Sequence, residues 1–294
     1  MSNKKTDHPK GSKKLIGAWA LYDWANSVYS LVISSAIFPI YYSQYVFSQT
    51  NSVEILNLDI NKDTLISSVS ALSFLLIAFL SPLLSGIADF IGNKKIFMKF
   101  FVYMGSLSCI GLYWFELETI EISLLFYTLG LIGFWGSLVY YNSYLTDITY
   151  PNQTNKVSAK GYTMGYIGSV ILLLINLIMI NFYETFGFES EIAAMKSSFA
   201  IVGIWWLAFS QYSFYHLPSG NKGVKVPKNI IWNGFKELKG VYKFIRTSKR
   251  FTRFLLAFFI FSFSSCFLLF SYPPKNLVCL GPAHGPGPWA GPWA

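Results

Sequence analysis

The chain has 294 residues, of which 53% are hydrophobic, 19% are aromatic and only 13% are charged, and its formal net charge is +9. This composition excludes an ordinary soluble domain, in which about a quarter of the residues carry charge. The excess of Lys and Arg could indicate nucleic-acid binding, but most of these residues lie in tails and loops next to long apolar segments. We therefore expect no nucleic-acid partner, and the composition favours an integral membrane protein.

Seven apolar segments are long enough to cross a lipid bilayer as α-helices. A crossing takes about 20 residues, because each residue adds about 1.5 Å of rise across roughly 30 Å of hydrocarbon. The predicted spans are residues 18–42, 64–88, 96–115, 122–144, 162–182, 193–216 and 254–272. The sequence therefore predicts an all-α membrane protein that has the lipid bilayer as a partner, with residues 1–17 forming a basic tail.

The charge of the loops between these spans alternates in sign along the chain. The N-terminal tail and the second, fourth and sixth connections are rich in Lys or Arg, whereas the first, third and fifth are mainly acidic. Lys and Arg accumulate in the cytoplasmic loops of membrane proteins. The alternation therefore predicts a multi-pass protein with a cytoplasmic N-terminus, which we expect in a bacterial plasma membrane.

Polar side chains form one stripe along the first predicted span. They stand at i, i+3, i+4, i+7 and i+11 on one helical face: Asp23, Asn26, Ser27, Ser30 and Ser34. A carboxylate that faces lipid is costly, so we expect this stripe to face protein or a water-filled cavity. Asp23 then contacts a substrate or a proton, gates the cytoplasmic mouth, or makes a structural hydrogen bond to a Tyr or Ser of another helix.

The turn between the second and third spans reads Gly86-Ile-Ala-Asp89-Phe-Ile-Gly92-Asn-Lys94-Lys95. Gly86 permits close approach of another helix, Asp89 can accept hydrogen bonds from a helix N-terminus or an arginine, and Gly92 suits a turn with positive φ. Lys94 and Lys95 would hold the turn in the cytoplasm. The combination resembles the cytoplasmic signature of the major facilitator superfamily, which implies a cytoplasmic gate motif. A generic short turn is the alternative.

A second polar stripe lies on the fourth predicted span, where the same spacing brings together Ser137, Tyr140, Tyr141 and Tyr144. Tyrosine offers an apolar face and a hydroxyl group, which suits a solute of mixed polarity. Aromatic packing with an interfacial belt is the alternative.

Other residues of the later spans are predicted to serve packing. Small residues allow close helix contacts in membranes, and this is the role we expect for six glycines of the fourth and fifth spans. These are Gly130, Gly133, Gly136, Gly161, Gly165 and Gly168. The sixth span carries Trp205 and Trp206 with few polar companions, and it is predicted to be peripheral or lipid-facing.

Three stretches of the chain carry a more specific pattern. They are Trp19-Ala-Leu-Tyr-Asp-Trp-Ala-Asn-Ser27, Asn142-Ser-Tyr-Leu-Thr-Asp147 and Val157-Ser-Ala-Lys-Gly-Tyr-Thr-Met-Gly-Tyr-Ile-Gly-Ser169. Together they resemble the vacuolar-effluxer-like permeases of the major facilitator superfamily, which include the autophagy-related vacuolar amino-acid effluxers. One departure is Thr146, where that family usually has proline. The resemblance implies a major-facilitator-type six-helix N-terminal half over residues 18–216, with both polar stripes on a central cavity.

The remaining segments follow the sixth span. Residues 217–253 are predicted to form a basic cytoplasmic linker with an amphipathic helix near residues 230–242, for which calmodulin-type target binding is the alternative. Residues 254–272 form the seventh predicted transmembrane helix. Residues 273–294 are a low-complexity tract that repeats Gly-Pro-Trp-Ala and cannot continue a helix. We expect that the reading frame departs from its parent gene after about Ser262, which truncates the permease, and a genuine short protein with an unusual tail is the alternative.

These observations favour a membrane transporter of small, amino-acid-like solutes that works by alternating access, here in an incomplete form. A half-transporter that acts as a membrane interaction or scaffold protein is the alternative. An intramembrane enzyme ranks last, because the sequence has no His-x-x-x-His, paired aspartates or Gly-x-Ser-x-Gly. No cofactor or metal is expected, since the three cysteines lack metal or disulfide spacing. Asp23 leaves coupling to protons open.

Overall fold

The computed structural model describes residues 8–55, 58–91, 93–219, 247–250, 252–253, 256–257 and 260, and within residues 82–92 it describes the side chains of 84, 85 and 88 only. The chain divides into two units, and all the helices described below belong to the first, Met1–Leu238. The predicted amphipathic helix of the linker, most of the seventh span and the low-complexity tail lie outside the described residues.

Helices dominate the described part of the first unit. The α-helices are α1 Lys13–Val28, α2 Phe38–Ile40, α3 Lys62–Ile91, α4 Lys94–Gly111, α5 Ile120–Ile148, α6 Thr154–Asn181 and α7 Glu191–His216. Wider π-helical turns at Tyr29–Ile37 and Tyr41–Val46 join α1 and α2 into one first helical segment, residues 13–46. A short hairpin follows, in which β1 (Ser52–Ile55) pairs antiparallel with β2 (Leu58–Asn61).

The first helical segment has wider, π-helical turns on both sides of Pro39. Proline has no N–H to donate to the carbonyl four residues earlier, and its ring crowds that carbonyl, which here belongs to Ser35. The hydroxyl of Ser35 donates to the carbonyl of Ser30, five residues back, at 2.9 Å. At its start the segment is capped by Ser12, whose Oγ accepts from the N–H of Leu15 (3.4 Å). The segment is therefore continuous without being uniformly α-helical.

Five of the described helical stretches are long and apolar enough to cross a membrane. They are Lys62–Ser81, Lys94–Trp114, Ile120–Ile148, Thr154–Asn181 and Glu191–His216. They correspond to the second to sixth predicted spans, and the first predicted span lies within the first helical segment. The prediction of an all-α membrane protein is thus confirmed for the described residues, apart from the hairpin, which the sequence pattern did not predict.

Glycines let the long helices approach closely. A Cβ atom added to Gly133 of α5 would lie 2.5 Å from the Cα atom of Gly105 in α4, so the two backbones are in direct contact. A Cβ at Gly136 would meet a phenylalanine ring of α4 at 2.5 Å, and one at Gly130 would meet Tyr29 of the first segment at 3.3 Å. The prediction that these glycines serve helix packing is confirmed.

The last long helix, α7, is buried on one face only. Trp206 is fully buried, and its ring centroid lies 5.9 Å from that of Tyr29 in the first segment. On the other face Ile204 and Tyr215 are 57% and 67% exposed. The prediction of a peripheral or lipid-facing helix is therefore wrong for the face that carries Trp206. The indole fills the space that Gly105 leaves open in α4.

Candidate functional site

A cavity of about 430 Å³ lies between the first helical segment, α5 and α6. The first segment contributes mainly polar side chains, among them Asp23, Asn26, Ser27 and Ser30. The walls on α5 and α6 are largely aromatic and include Trp135, Tyr141, Tyr162 and Tyr166. A concave site of this size, with a few polar groups among aromatic rings, is typical of sites for small molecules.

Asp23 accepts a hydrogen bond from one neutral side-chain donor at the wall of the cavity. The residue is only 6% exposed, and the hydroxyl of Ser27 donates to its Oδ1 at 3.0 Å. The hydroxyl of Tyr141 has no hydrogen-bond partner among the described residues. Gly165 of α6 makes room for this group, since a Cβ atom there would lie 3.1 Å from the Asp23 Cγ and 2.6 Å from the Ser27 Oγ. The carboxylate is thus fixed where three helices meet.

A stacked aromatic pair positions Tyr141 of α5. Its ring lies 4.3 Å from that of Trp19 at an interplanar angle of 10°, and the Trp19 Nε1 donates to the Tyr141 carbonyl at 2.9 Å. Gly161 of α6 faces both rings, because a Cβ atom there would lie 2.6 Å from Trp19 and 2.7 Å from the Tyr141 hydroxyl. The glycines of α6 therefore pack against the first segment, as predicted, and also leave room for the side chains of the cavity wall.

Asn26 brings a buried amide to the cavity. Its side chain is fully buried, and its Oδ1 accepts from the hydroxyls of Tyr22 and Ser137, each at 3.4 Å. Its Nδ2 has no hydrogen-bond partner among the described residues. A buried N–H group without a partner is costly. Asn26 lines the cavity, so this amide is a donor left without a described partner at the cavity wall.

The two predicted stripes contribute unequally to this wall. Asp23, Asn26, Ser27, Ser30 and Tyr141 line the cavity, whereas the other four residues of the stripes are not among its lining. These are Ser34, which is exposed, and Ser137, Tyr140 and Tyr144, which are buried.

The buried residues of the α5 stripe have other contacts. The Ser137 hydroxyl donates to the carbonyl of Phe134 at 2.7 Å, as well as meeting Asn26. The Tyr140 ring stacks on Phe97 with centroids 5.6 Å apart, and the Tyr144 hydroxyl donates to the carbonyl of Pro218 at 3.0 Å. In the present structure these three side chains hold helices together.

The cavity faces a different side of α5 from the one that the stripe predicted. Phe134, Leu138 and Asn142 line it, and their spacing centres on Leu138. Successive residues of an α-helix are rotated by about 100°, so the cavity side lies about 100° around the helix from Ser137. Tyr141 lies between these two sides of α5, so it belongs to the predicted stripe and also lines the cavity. Of the missed residues, Asn142 had a usable signal, because it is polar within an apolar span.

The sequence pattern also missed the contribution of α6. Ser158, Tyr162, Tyr166 and Ser169 line the cavity, at spacings of four, four and three residues. This is the same periodicity that identified the stripe of the first span. The polar stripe of α6 could therefore have been found from the sequence, but the glycines on the neighbouring face of the helix dominated its interpretation.

The predicted gate motif is only partly described. Gly86 and Asp89 lie in the last turns of α3, and Gly92 lies outside the described residues. Lys94 begins α4, and its Nζ lies 3.1 Å from the Oδ2 of Asp147 near the end of α5. Lys95 is 8% exposed and donates to the Ser219 Oγ at 3.1 Å. The ion pair joins the turn that ends at Lys95 to the stretch that ends at Asp147, and these two motifs lie far apart in the sequence.

The chain before α1 also meets the end of α5. The Lys10 Nζ donates to the carbonyl of Thr146 at 2.9 Å, and the N–H of Gly11 donates to the carbonyl of Ile148 at 2.7 Å. Gly11 has a φ of 78°, a conformation that favours glycine. The C-terminal end of α5 is therefore held by both the N-terminal residues and the start of α4.

Comparison with known proteins identifies the family. Residues 11–152 and 146–269 match the model of the family described as "Vacuole effluxer Atg22 like". The "Uncharacterized MFS-type transporter YxiO" of Bacillus subtilis (strain 168) is 35% identical over 245 residues, which are 83% of this chain and 56% of that protein. The chain thus spans little more than half the length of this curated relative. It is a multi-pass membrane protein that belongs to the vacuole effluxer Atg22-like family of the major facilitator superfamily.

Proposed function

We propose that the chain forms half of a permease that moves a small, amino-acid-like solute across a membrane by alternating access. The cavity beside Asp23 carries this proposal, because it joins an acidic and an amide side chain to aromatic rings between membrane-spanning helices. Ionisable side chains inside spans are expensive, and they mark substrate or ion pathways. In transporters built of two halves, such sites lie at the interface of the halves. The second half would supply the opposite wall.

The proposed solute has mixed polarity. Asp23 can meet an ammonium group, and the Asn26 Nδ2 can donate to a carboxylate oxygen of the same molecule. The rings of Trp135, Tyr162 and Tyr166 offer apolar faces for its side chain. Neighbouring turns of one helix carry Asp23 and Asn26, which suits the short distance between the charged groups of an amino acid. Coupling to protons through Asp23 is part of the proposal.

The turn from Gly86 to Lys95 is proposed as the cytoplasmic gate. Alternating access requires one bundle of helices to rock against the other. The ion pair of Lys94 with Asp147 ties the start of α4 to the end of α5, so these two helices would move together. The N-terminus and this turn would lie in the cytoplasm of a bacterial cell, as the charge of the loops indicates.

The second candidate function is a membrane interaction or scaffold protein. One observation favours it: several large apolar side chains of α3, including Leu72, Phe74 and Phe79, are exposed, the last by 73%. Such a surface can face lipid or another membrane helix. A scaffold would hold a defined protein partner through this surface, and crosslinking from Phe79→Cys would trap that partner in place of lipid.

Transport in liposomes tests the proposed function. Two proteins are reconstituted: the chain itself, and a chimera that joins residues 1–269 to the part of the Bacillus subtilis relative beyond the matched region. Uptake of labelled neutral, cationic and acidic amino acids is measured for both, with empty liposomes as a control. The chimera should accumulate at least one amino acid above the control. Transport of none of them by either protein would refute the proposed function.

A further inference from the structure

The charge of the cavity wall is strongly asymmetric. Among the described residues that line it, Asp23 is the one acidic side chain, and none is Lys, Arg or His. Lys156 and Lys160 flank Ser158 at the N-terminal end of α6, but both are exposed and neither lines the cavity. The wall therefore carries one negative charge and no fixed positive charge.

A neutral donor orients the Asp23 carboxylate without cancelling its charge. The Ser27 hydroxyl donates to Oδ1 at 3.0 Å. No described lysine or arginine forms an ion pair with it. A charge removed from water without a partner of opposite sign is costly, and it gains most from a cation that enters the same low-dielectric site.

The aromatic rings of the wall favour the same sign of ligand. The stacked pair of Trp19 and Tyr141 lies beside Asp23, and the rings of Trp135, Tyr162 and Tyr166 complete the wall. The face of an aromatic ring carries partial negative charge and attracts ammonium groups within about 6 Å of its centroid. An anion meets no comparable attraction there.

We propose that this cavity selects organic amines of net positive charge, such as cationic amino acids, over neutral zwitterions and anions. The proposal rests on the proposed function and names the substrate class of the same site. With ionised Asp23, a monocation makes a neutral complex, a zwitterion leaves one net negative charge and an acidic amino acid leaves two. Only the first case leaves this wall without a net charge. The neutral donor of Asn26 can satisfy a carboxylate oxygen, but it adds no positive charge.

Equilibrium binding to the full chain in lipid nanodiscs tests this selection. Three labelled probes are used at neutral pH: L-lysine, L-glutamine and L-glutamate. The three amino acids have similar size and differ in net charge. L-lysine should bind at least about 10-fold more tightly than L-glutamine and L-glutamate, in the range of measured coupling between close charges. Equal affinity for L-glutamine, or binding of none of the three, would overturn the proposal.

Substitutions of Asp23 test whether this residue causes the preference for cationic ligands. Asp23→Asn should weaken L-lysine binding by about 30-fold or more, the effect of removing one partner of a buried charge pair. Asp23→Glu keeps the charge and should retain the preference for L-lysine over L-glutamine. Glu121→Gln removes an exposed carboxylate outside the cavity and serves as the matched control. Unchanged L-lysine binding by a folded Asp23→Asn variant would contradict the assignment.

Transport by the chimera distinguishes a failure of the cationic selection from a failure of the permease function. If it carries L-glutamine or L-glutamate in preference to L-lysine, the permease function stands and the cationic selection is refuted. If it carries no amino acid, the proposed function itself fails, whatever the binding measurements show.

Discussion

Replacing Gly133 by alanine should separate α4 from α5. A Cβ atom at this position would lie 2.5 Å from the Cα atom and 2.7 Å from the nitrogen of Gly105, and 2.8 Å from the carbonyl oxygen of Phe101. All three are backbone atoms of α4, so no side-chain rotation can relieve the contact. Carbon atoms pack at about 3.5–4.0 Å, so the two helices must move apart by about 1 Å.

The expected loss of stability is stated relative to a matched control, the Gly17→Ala variant. Gly17 lies in α1, and a Cβ atom there would meet nothing within 4 Å. Glycine to alanine in a helix gains roughly 1 kcal/mol from helix propensity, and this gain applies to both positions. Overpacking a closely packed site costs about 1–3 kcal/mol. The Gly133→Ala variant should therefore be about 1–3 kcal/mol less stable than the Gly17→Ala variant.

Reversible unfolding in mixed detergent micelles measures this difference. Each variant of the full chain is titrated with sodium dodecyl sulfate, and helix content is followed by circular dichroism. The free energy of unfolding is extrapolated to zero dodecyl sulfate for both variants and for the wild type. A Gly133→Ala variant as stable as Gly17→Ala would refute the direct backbone contact between α4 and α5.

Three further predictions concern the ion pair and the cavity. A double-mutant cycle of Lys94→Ala and Asp147→Ala should give a coupling of only about 0.2–1 kcal/mol in the same titration, because both side chains are partly exposed. A coupling of about 3 kcal/mol, the value for a buried pair, would contradict this. The Asp23→Asn variant should unfold at the wild-type midpoint or above it, since it removes a buried charge that has no described cationic partner. A clear loss of stability would assign Asp23 to structure. Gly161→Ala should displace the stacked tryptophan and tyrosine and weaken L-lysine binding about 10-fold, as overpacking would; unchanged affinity in a binding titration would show that this pair does not shape the cavity.

The fold was largely predictable from the sequence because bilayer thickness determines the length of each span. Apolar stretches of about 20 residues identify helices irrespective of their neighbours. The hairpin at Ser52–Asn61 carried no such signal, since its strands have only four residues each. Burial of Trp206 also could not be predicted from the sequence, because a helix face toward lipid and a helix face toward protein are both apolar. The open space at Gly105 determines that Trp206 faces protein, and Gly105 is a residue of another helix, α4.

The candidate site was only half predictable. Asp23 and Asn26 could be identified because polar groups in a span must avoid lipid. The orientation of α5 could not, because Ser137, Tyr140 and Tyr144 satisfy the same periodicity through contacts with neighbouring helices. Which side of a helix faces a cavity depends on how its neighbours rotate it. That information lies in the glycine contacts between helices and not in the polar pattern of one span.

Protection of a single cysteine by solute tests most directly whether this cavity binds a solute. Ser30→Cys lines the cavity, and Ser34→Cys is an exposed matched control one turn further along that does not line it. Each is introduced into a chain without its three native cysteines, and maleimide labelling is timed with and without L-lysine. L-lysine should slow the labelling of Ser30→Cys and leave that of Ser34→Cys unchanged. Equal labelling rates with and without L-lysine at both positions would contradict binding in this cavity.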